Sequence, residues 1–181
     1  MHRLIAHAIV SADDRITDAD GQFPPTLRND ADWAQFQAAL DRADLTLLGR
    51  ASHDAAPNSR GRLRLIVSRR RAGLTRDDEG WWLNPADIPL ALALEDILPR
   101  GGTVAVPGGQ GVFDLVGAAG FAQFHLARAH RVRLPGGRGL FGACEGGAAA
   151  ADILRAGGLV ADPAAMIDPA AEVSLTVWRR R

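Results

Sequence analysis

The chain has 181 residues, 47% of them hydrophobic and 23% charged, which excludes a disordered polypeptide and suits a single domain over residues 1–181 with a well-buried core. Arginine alone supplies the 21 positive charges and 21 acids balance them, so no global field favours nucleic acid and any anion site must be local. Cys144 is the only cysteine, which excludes an internal disulfide and a cysteine-built metal centre; with no 18-residue apolar run and no signal-peptide stretch, the expectation is a soluble, cytoplasmic protein that does not enter membranes.

Residues 4–10 form a short apolar run broken by Ser11-Ala12-Asp13-Asp14, which predicts a buried strand followed by a turn. Residues 18–25 continue as a loop and candidate lid, since Gly21 accommodates positive φ and Pro24-Pro25 blocks regular structure. Asn29 or Asp30 caps a helix on which Trp33, Phe36, Leu40 and Ala43 recur at three- and four-residue spacing, a face suited to packing on a sheet. Residues 45–48 predict a strand that stops at Gly49-Arg50. A second helix start near residues 52–54 is cut short by Pro57, Asn58 and Gly61, and residues 63–67 supply another strand ending at Ser68.

Residues 69–85 read as irregular, with Trp81-Trp82 covering an edge or groove. A helix over 87–98 carries Leu90, Leu94 and Leu98 at four-residue spacing, with Pro89 in its first turn. Residues 103–106, the loop Pro107-Gly108-Gly109-Gln110-Gly111 and the periodic segment 112–119 make a strand, glycine-loop, helix unit. A strand within 121–129 follows, extended or succeeded by 132–134, and the loop 134–139 leads to Leu140-Phe141. Residues 148–156 suit a short helix, 172–178 a last strand with Val173, Leu175 and Val177 alternating, and 179–181 a solvated end. This alternation predicts an α/β fold with a central mixed, mostly parallel sheet and helices on both faces.

Gly108 and Gly109 lie between a strand and a helix, where missing side chains let backbone N–H groups approach a diphosphate; a tight turn alone would use the same glycines. The pattern is neither GxGxxG nor a P-loop, which needs a lysine. Arg50 follows one strand and Ser68-Arg69 the next, so two guanidinium groups and a hydroxyl can meet a dianionic phosphate at one sheet edge, unless all three are simply solvated.

In order and spacing these segments resemble the dihydrofolate reductase-like superfamily, above all the reductase domain of bifunctional riboflavin deaminase-reductases and its stand-alone relatives. The resemblance runs through almost the whole chain. It is carried by Ser11-Ala12-Asp13-Asp14-Arg15-Ile16, Ala43-Asp44-Leu45-Thr46-Leu47-Leu48-Gly49-Arg50, Leu65-Ile66-Val67-Ser68-Arg69, Val106-Pro107-Gly108-Gly109-Gln110-Gly111-Val112-Phe113, and the late Leu134-Pro135-Gly136-Gly137 with Leu140-Phe141. It implies the three-layer dihydrofolate reductase-like fold, a homodimer and an NADPH cofactor. Arg50, Ser68 and Arg69, following Gly49, would approach the adenosine 2′-phosphate; Gly108, Gly109, Gln110, Gly111 and Val112 would hold the diphosphate; the segment from Val10 to Ile16 would pass near the nicotinamide. The substrate it implies is a small heterocycle of pyrimidine type, such as a ribosylamino-pyrimidine phosphate. Dihydrofolate or flavin reduction, or NADPH binding without catalysis, are the alternatives.

Asp32 precedes Phe36 by one helical turn and looks like the carboxylate and aromatic that bind the pterin and assist its protonation in dihydrofolate reductases. An exposed first-turn Asp stabilising its own helix is the competing assignment. Phe23-Pro24-Pro25 stands where Pro-Trp is expected, which disfavours folate, and the zinc deaminase signature is missing. His7 and His53 flank the first and second strand-end regions, where they could touch ligand, an exposed or satisfied histidine being the competing assignment; His125 and His130, five residues apart, do not by themselves form a metal triad, and Cys144 has no identifiable base partner.

Overall fold

The computed structural model describes residues 1–181. The first apolar run becomes β1 (His2–Ser11), and the chain continues through α1 (Asp30–Arg42), β2 (Leu45–Gly49), α2 (Arg50–Ala55), β3 (Arg64–Val67), β4 (Leu74–Asp77), β5 (Gly80–Leu83) and α3 (Leu90–Ile97). It ends with β6 (Gly102–Gly108), α4 (Gln110–Val116), β7 (Gln123–Ala129), α5 (Ala150–Ala156), β8 (Leu159–Ala161), β9 (Ala165–Asp168) and β10 (Val173–Arg180). All ten strands join one sheet in the order β4-β5-β3-β2-β6-β1-β7-β10-β8, with β9 also paired to β10. The six strands from β5 to β7 run parallel, whereas β4 and β10 run against their neighbours.

Side-chain alternation divides the core between the two faces. Leu4, Ala6 and Val10 of β1, Val104 and Val106 of β6, and Phe124 and Leu126 of β7 share one cluster with Leu94 of α3, Phe113 of α4 and Leu154 of α5. On the other face Ile9, Ala127 and Val173 pack with Leu27 and Leu134, and Leu48, Ile66 and Trp82 form a smaller group. Here α1 and α2 lie over the sheet, with Phe36 edge-on to His7 and His53 edge-on to Trp82.

Several boundaries differ from the sequence reading for local reasons. Residues 74–83 are a hairpin extending the sheet; Trp81 packs against the main core while the buried Trp82 faces the other way, so the pair fills two faces of one strand. Helix α3 begins after Pro89, because Asn84 holds residues 86–88 in a turn of their own. Helix α4 stops at Val116, where Gly117 takes φ +67°, and β7 starts at Gln123, after Phe121. The expected core face of α1 is only partly buried: Leu40 is enclosed, Trp33 is 59% exposed, and Ala43 is the C-cap. Residues 18–22 close on themselves, Asp18 accepting from the amides of Asp20 and Gln22, and Leu27 buries the following turn.

Candidate active site

Because β2, β3 and β6 are parallel, their carboxyl ends reach the same edge of the sheet. Gly49 pairs with Val67, immediately before Ser68, and Leu48 pairs with Gly108. The starts of α2 and α4 therefore adjoin: a Cβ on Gly49 would lie 3.5 Å from Val112, and one on Gly109 would lie 3.8 Å from the Ser52 hydroxyl. Gly108 has φ +93°, and a Cβ there would come within 2.3 Å of the Phe113 ring, so core packing alone requires this glycine. Around Gly111, by contrast, a Cβ would meet nothing within 4 Å. As the first two residues of α4, Gln110 and Gly111 have amides with no intrahelical acceptor.

The predicted phosphate ligands share this edge but differ in availability. Ser68 is 6% exposed, and its Oγ accepts from the Arg70 amide at 3.2 Å, which commits the hydroxyl oxygen to its own turn. Arg50 reaches Asp54 at 2.6 Å, an i,i+4 pair open to solvent. Arg69 is exposed and has no carboxylate partner.

On the far side of β6, Val10 is fully buried and the chain turns through residues 11–16. A set of hydrogen bonds fixes this turn. Ser11 donates to Asp13 at 2.6 Å, and the Leu134 amide donates to Asp13 at 3.1 Å. Asp14, held at φ +59°, accepts from the Ala150 amide at 3.0 Å and from Arg128, whose other Nη donates to the carbonyls of Ser11 and Ala12 at 3.1 and 3.2 Å. Ile16 donates its amide to the Arg138 carbonyl at 2.9 Å. Sequence reasoning missed Arg128 and Asp14, and a usable signal existed: Asp13, Asp14 and Arg15, three consecutive charged residues just past a strand with a buried end, need partners.

Asp32 and Phe36 lie on α1, which covers the same sheet face as α2, the helix that Arg50 begins. Asn29 caps α1 by accepting from the Asp32 amide at 3.0 Å, which fixes the first turn. The Asp32 carboxylate itself has no hydrogen-bond or ion-pair partner, and burial pushes its pKa up to about 6. Phe36 lies 6.4 Å from the His7 ring, which stacks at 4.5 Å on its cross-strand partner His125. Burial, then His125 and Arg42, press the His7 pKa down to about 3, so His7 is neutral at physiological pH. Its ring nitrogens have no protein partner, and it lines a cavity of about 180 Å³ under α1 with Ile5, Ala39, Arg42 and His125. His53 contacts Arg64 and His130 contacts Ser174, and no group of three or more metal-ligating side chains occurs. Cys144 is buried and its thiol is pushed up by that burial, away from nucleophilic use.

No protein-family model matches the sequence, and no curated protein matches it either. Solved structures match over its whole length. A candidate riboflavin biosynthesis protein from Shewanella sp. PV-4 superposes with a TM-score of 0.67 at 17% identity, covering 99% of both chains. Dihydrofolate reductase from Enterococcus faecalis, complexed with NADP(H), gives a TM-score of 0.69 at 13% identity over 99% of this chain and 96% of that one. The diaminohydroxyphosphoribosylaminopyrimidine deaminase/5-amino-6-(5-phosphoribosylamino)uracil reductase from Thermotoga maritima gives 0.69 at 14% identity; 99% of this chain matches 57% of that longer one. The chain has the dihydrofolate reductase-like fold. No helix is long and apolar enough to cross a membrane.

Proposed function

We propose that this protein is an NADPH-dependent reductase acting on a small heterocycle of pyrimidine type. The observation that carries the reading is the meeting of Gly49-Arg50, Ser68-Arg69 and residues 108–112 at one sheet edge, with the first two amides of α4 and open space at Gly111. These groups fit a dinucleotide: unpaired N–H donors face where a diphosphate would lie, and arginine suits the extra phosphate that NADPH has and NADH lacks. The cofactor when bound supplies a hydride; the chain's part is to hold and orient it. The turn at residues 11–16, tied to Arg128, Leu134 and Ala150, gives that end of the site a fixed wall.

Asp32 is the group assigned to substrate. A partnerless carboxyl with pKa about 6 carries a proton part of the time near neutrality, so it can hydrogen-bond an amino-pyrimidine edge as carboxylate or hand on a proton as the acid. Phe36, one turn on, supplies an apolar wall.

Calorimetric titration of the purified protein with NADPH and NADH tests the cofactor assignment. Tighter binding of NADPH is expected, and the double variant Arg50→Ala, Arg69→Ala should bring the two affinities within a factor of about three, since a charge-assisted pair contributes about 1.5–3 kcal/mol. Equal affinities in the wild type would remove the assignment. A cofactor-oxidation screen with dihydrofolate, ribosylamino-pyrimidine phosphate and flavin, with products identified by mass, then addresses the substrate.

A further inference from the structure

Beyond the strand-end groups, a second polar cleft opens between the turn after β1 and the loop after β7. Its volume is about 410 Å³, and it is lined by Arg15, Ala19, Gln110, Gly136, Gly137, Arg138 and Glu145. From this geometry we infer that the cleft is a phosphate site in which Arg15 and Arg138 act as a guanidinium pair.

Both arginines line the cleft, on two backbone segments that are tied to each other. Arg15 forms a bridge with Gly139, the Ile16 amide donates to the Arg138 carbonyl, and the Arg138 amide donates to Thr17 Oγ at 3.1 Å. Neither guanidinium has a carboxylate within 4.0 Å, and the Arg15 Nε is buried without any acceptor. A buried donor without a partner is costly. Glu145, the one acid in the cleft, lies more than 4.0 Å from both guanidinium groups, and its Oε1 accepts from the Gln110 side chain at 2.6 Å and the Gly139 amide at 3.2 Å. Two cations against one engaged anion leave the cleft positive, and Ala19 is its only apolar lining residue. That chemistry rejects a flat apolar ring and suits a phosphoryl group, whose oxygens match the guanidinium fork.

Two molecules can bring that phosphate. Gln110 also begins the turn assigned to the cofactor, so the cofactor's diphosphate is one source, an assignment that rests on the reductase reading. The other is the phosphate of a phosphorylated substrate, which does not depend on it. The test is calorimetric titration of the wild type and of the double variant Arg15→Gln, Arg138→Gln with NADPH, NADH, inorganic pyrophosphate and ribose 5-phosphate. The backbone bonds of both residues survive these substitutions, and circular dichroism checks that the variant is folded. A loss of about tenfold or more is expected for a phosphate ligand in the double variant, with recovery in the double lysine variant. Equal losses for NADPH and NADH identify the cofactor as the source; a loss confined to ribose 5-phosphate identifies a phosphorylated substrate. If the wild type binds ribose 5-phosphate through these arginines but neither nicotinamide cofactor, the site stands and the reductase reading falls. Unchanged affinity for every phosphate ligand in the folded variant, or no binding of any by the wild type, overturns the site.

Discussion

At the scale of single residues, Asp32 makes the sharpest claim, because its acidity links stability to chemistry. A carboxyl whose pKa in the fold, about 6, exceeds the usual 3.8 keeps its proton more readily when folded than when unfolded. The stabilising contribution of the protonated form is therefore complete below the unfolded value and is lost as pH rises through about 6. At pH 8 the buried carboxylate is a burden of about 3 kcal/mol. Asp32→Asn should raise the unfolding free energy by that order at pH 8 and leave it almost unchanged at pH 4, measured by urea denaturation; the same gain at both values would refute burial as the cause. Under the reductase reading the substitution also costs activity and removes any inflection near pH 6 from the kcat profile. A stabilised but inactive variant is the signature of a residue kept for function. His7 carries the opposite sign: with its pKa pressed to about 3, its contribution is present above the ordinary histidine range and fades as pH falls. Asp32 stands out in the sequence through its spacing from Phe36, and His7 only through its place near a strand end. The burial of His7 depends on the β1–β7 pairing that puts it against His125, a contact 118 positions away that no local pattern encodes.

Elements show why some features were legible and others hidden. The apolar runs of β1, β2, β3 and β6 announce themselves because these strands are covered on both faces, and the register of β2 with β3 and β6 delivers the strand ends as the sequence implied. The hairpin β4–β5 escaped notice because its strands have four residues each and most of β4 is exposed, so charged Arg76 and Asp77 break the pattern. In α1, Trp33 kept the periodic spacing yet faces solvent, since spacing defines a stripe without saying how much of it the sheet covers. The glycine turn before α4 combines both cases: a conspicuous motif whose members serve different ends. Gly108→Ala should destabilise the protein by at least about 2 kcal/mol, through positive φ and collision with Phe113. Gly111→Ala, placed in open space within a helix, should instead stabilise it by up to about 1 kcal/mol and weaken NADPH binding if the cofactor's diphosphate occupies that space. Thermal unfolding with and without NADPH separates the two. Equal thermal costs for both glycines would contradict the division between packing and ligand space.

For the molecule as a whole, the sheet order sets where stability and mobility lie. β1 pairs with β6 through His2–Ala6 and with β7 through Ile5–Ser11, and Leu4, Ala6 and Val10 belong to the main core. β4 hangs from one partner through four residue pairs, and β8 meets β10 through three. Amides in β1, β2 and β6 should therefore exchange with solvent only through global unfolding, while β4 and β8 open locally at a fraction of that free energy. The turn at residues 11–16 is the informative intermediate. It lies beyond the sheet, yet Arg128, Leu134 and Ala150 tie it to β7, the following loop and α5, so it should exchange more slowly than other surface turns. Arg128→Ala removes three of those bonds and leaves Asp14 with a single donor from Ala150. In that variant, exchange at residues 12–16 should accelerate by about tenfold or more, as expected for loss of a charge-assisted pair, while β4 is unaffected. Hydrogen exchange read by mass spectrometry distinguishes this from general destabilisation, which would speed exchange in β1 and β6 by a similar factor. A uniform acceleration across the sheet would mean that Arg128 supports the whole fold and that the turn has no separate stability to tune.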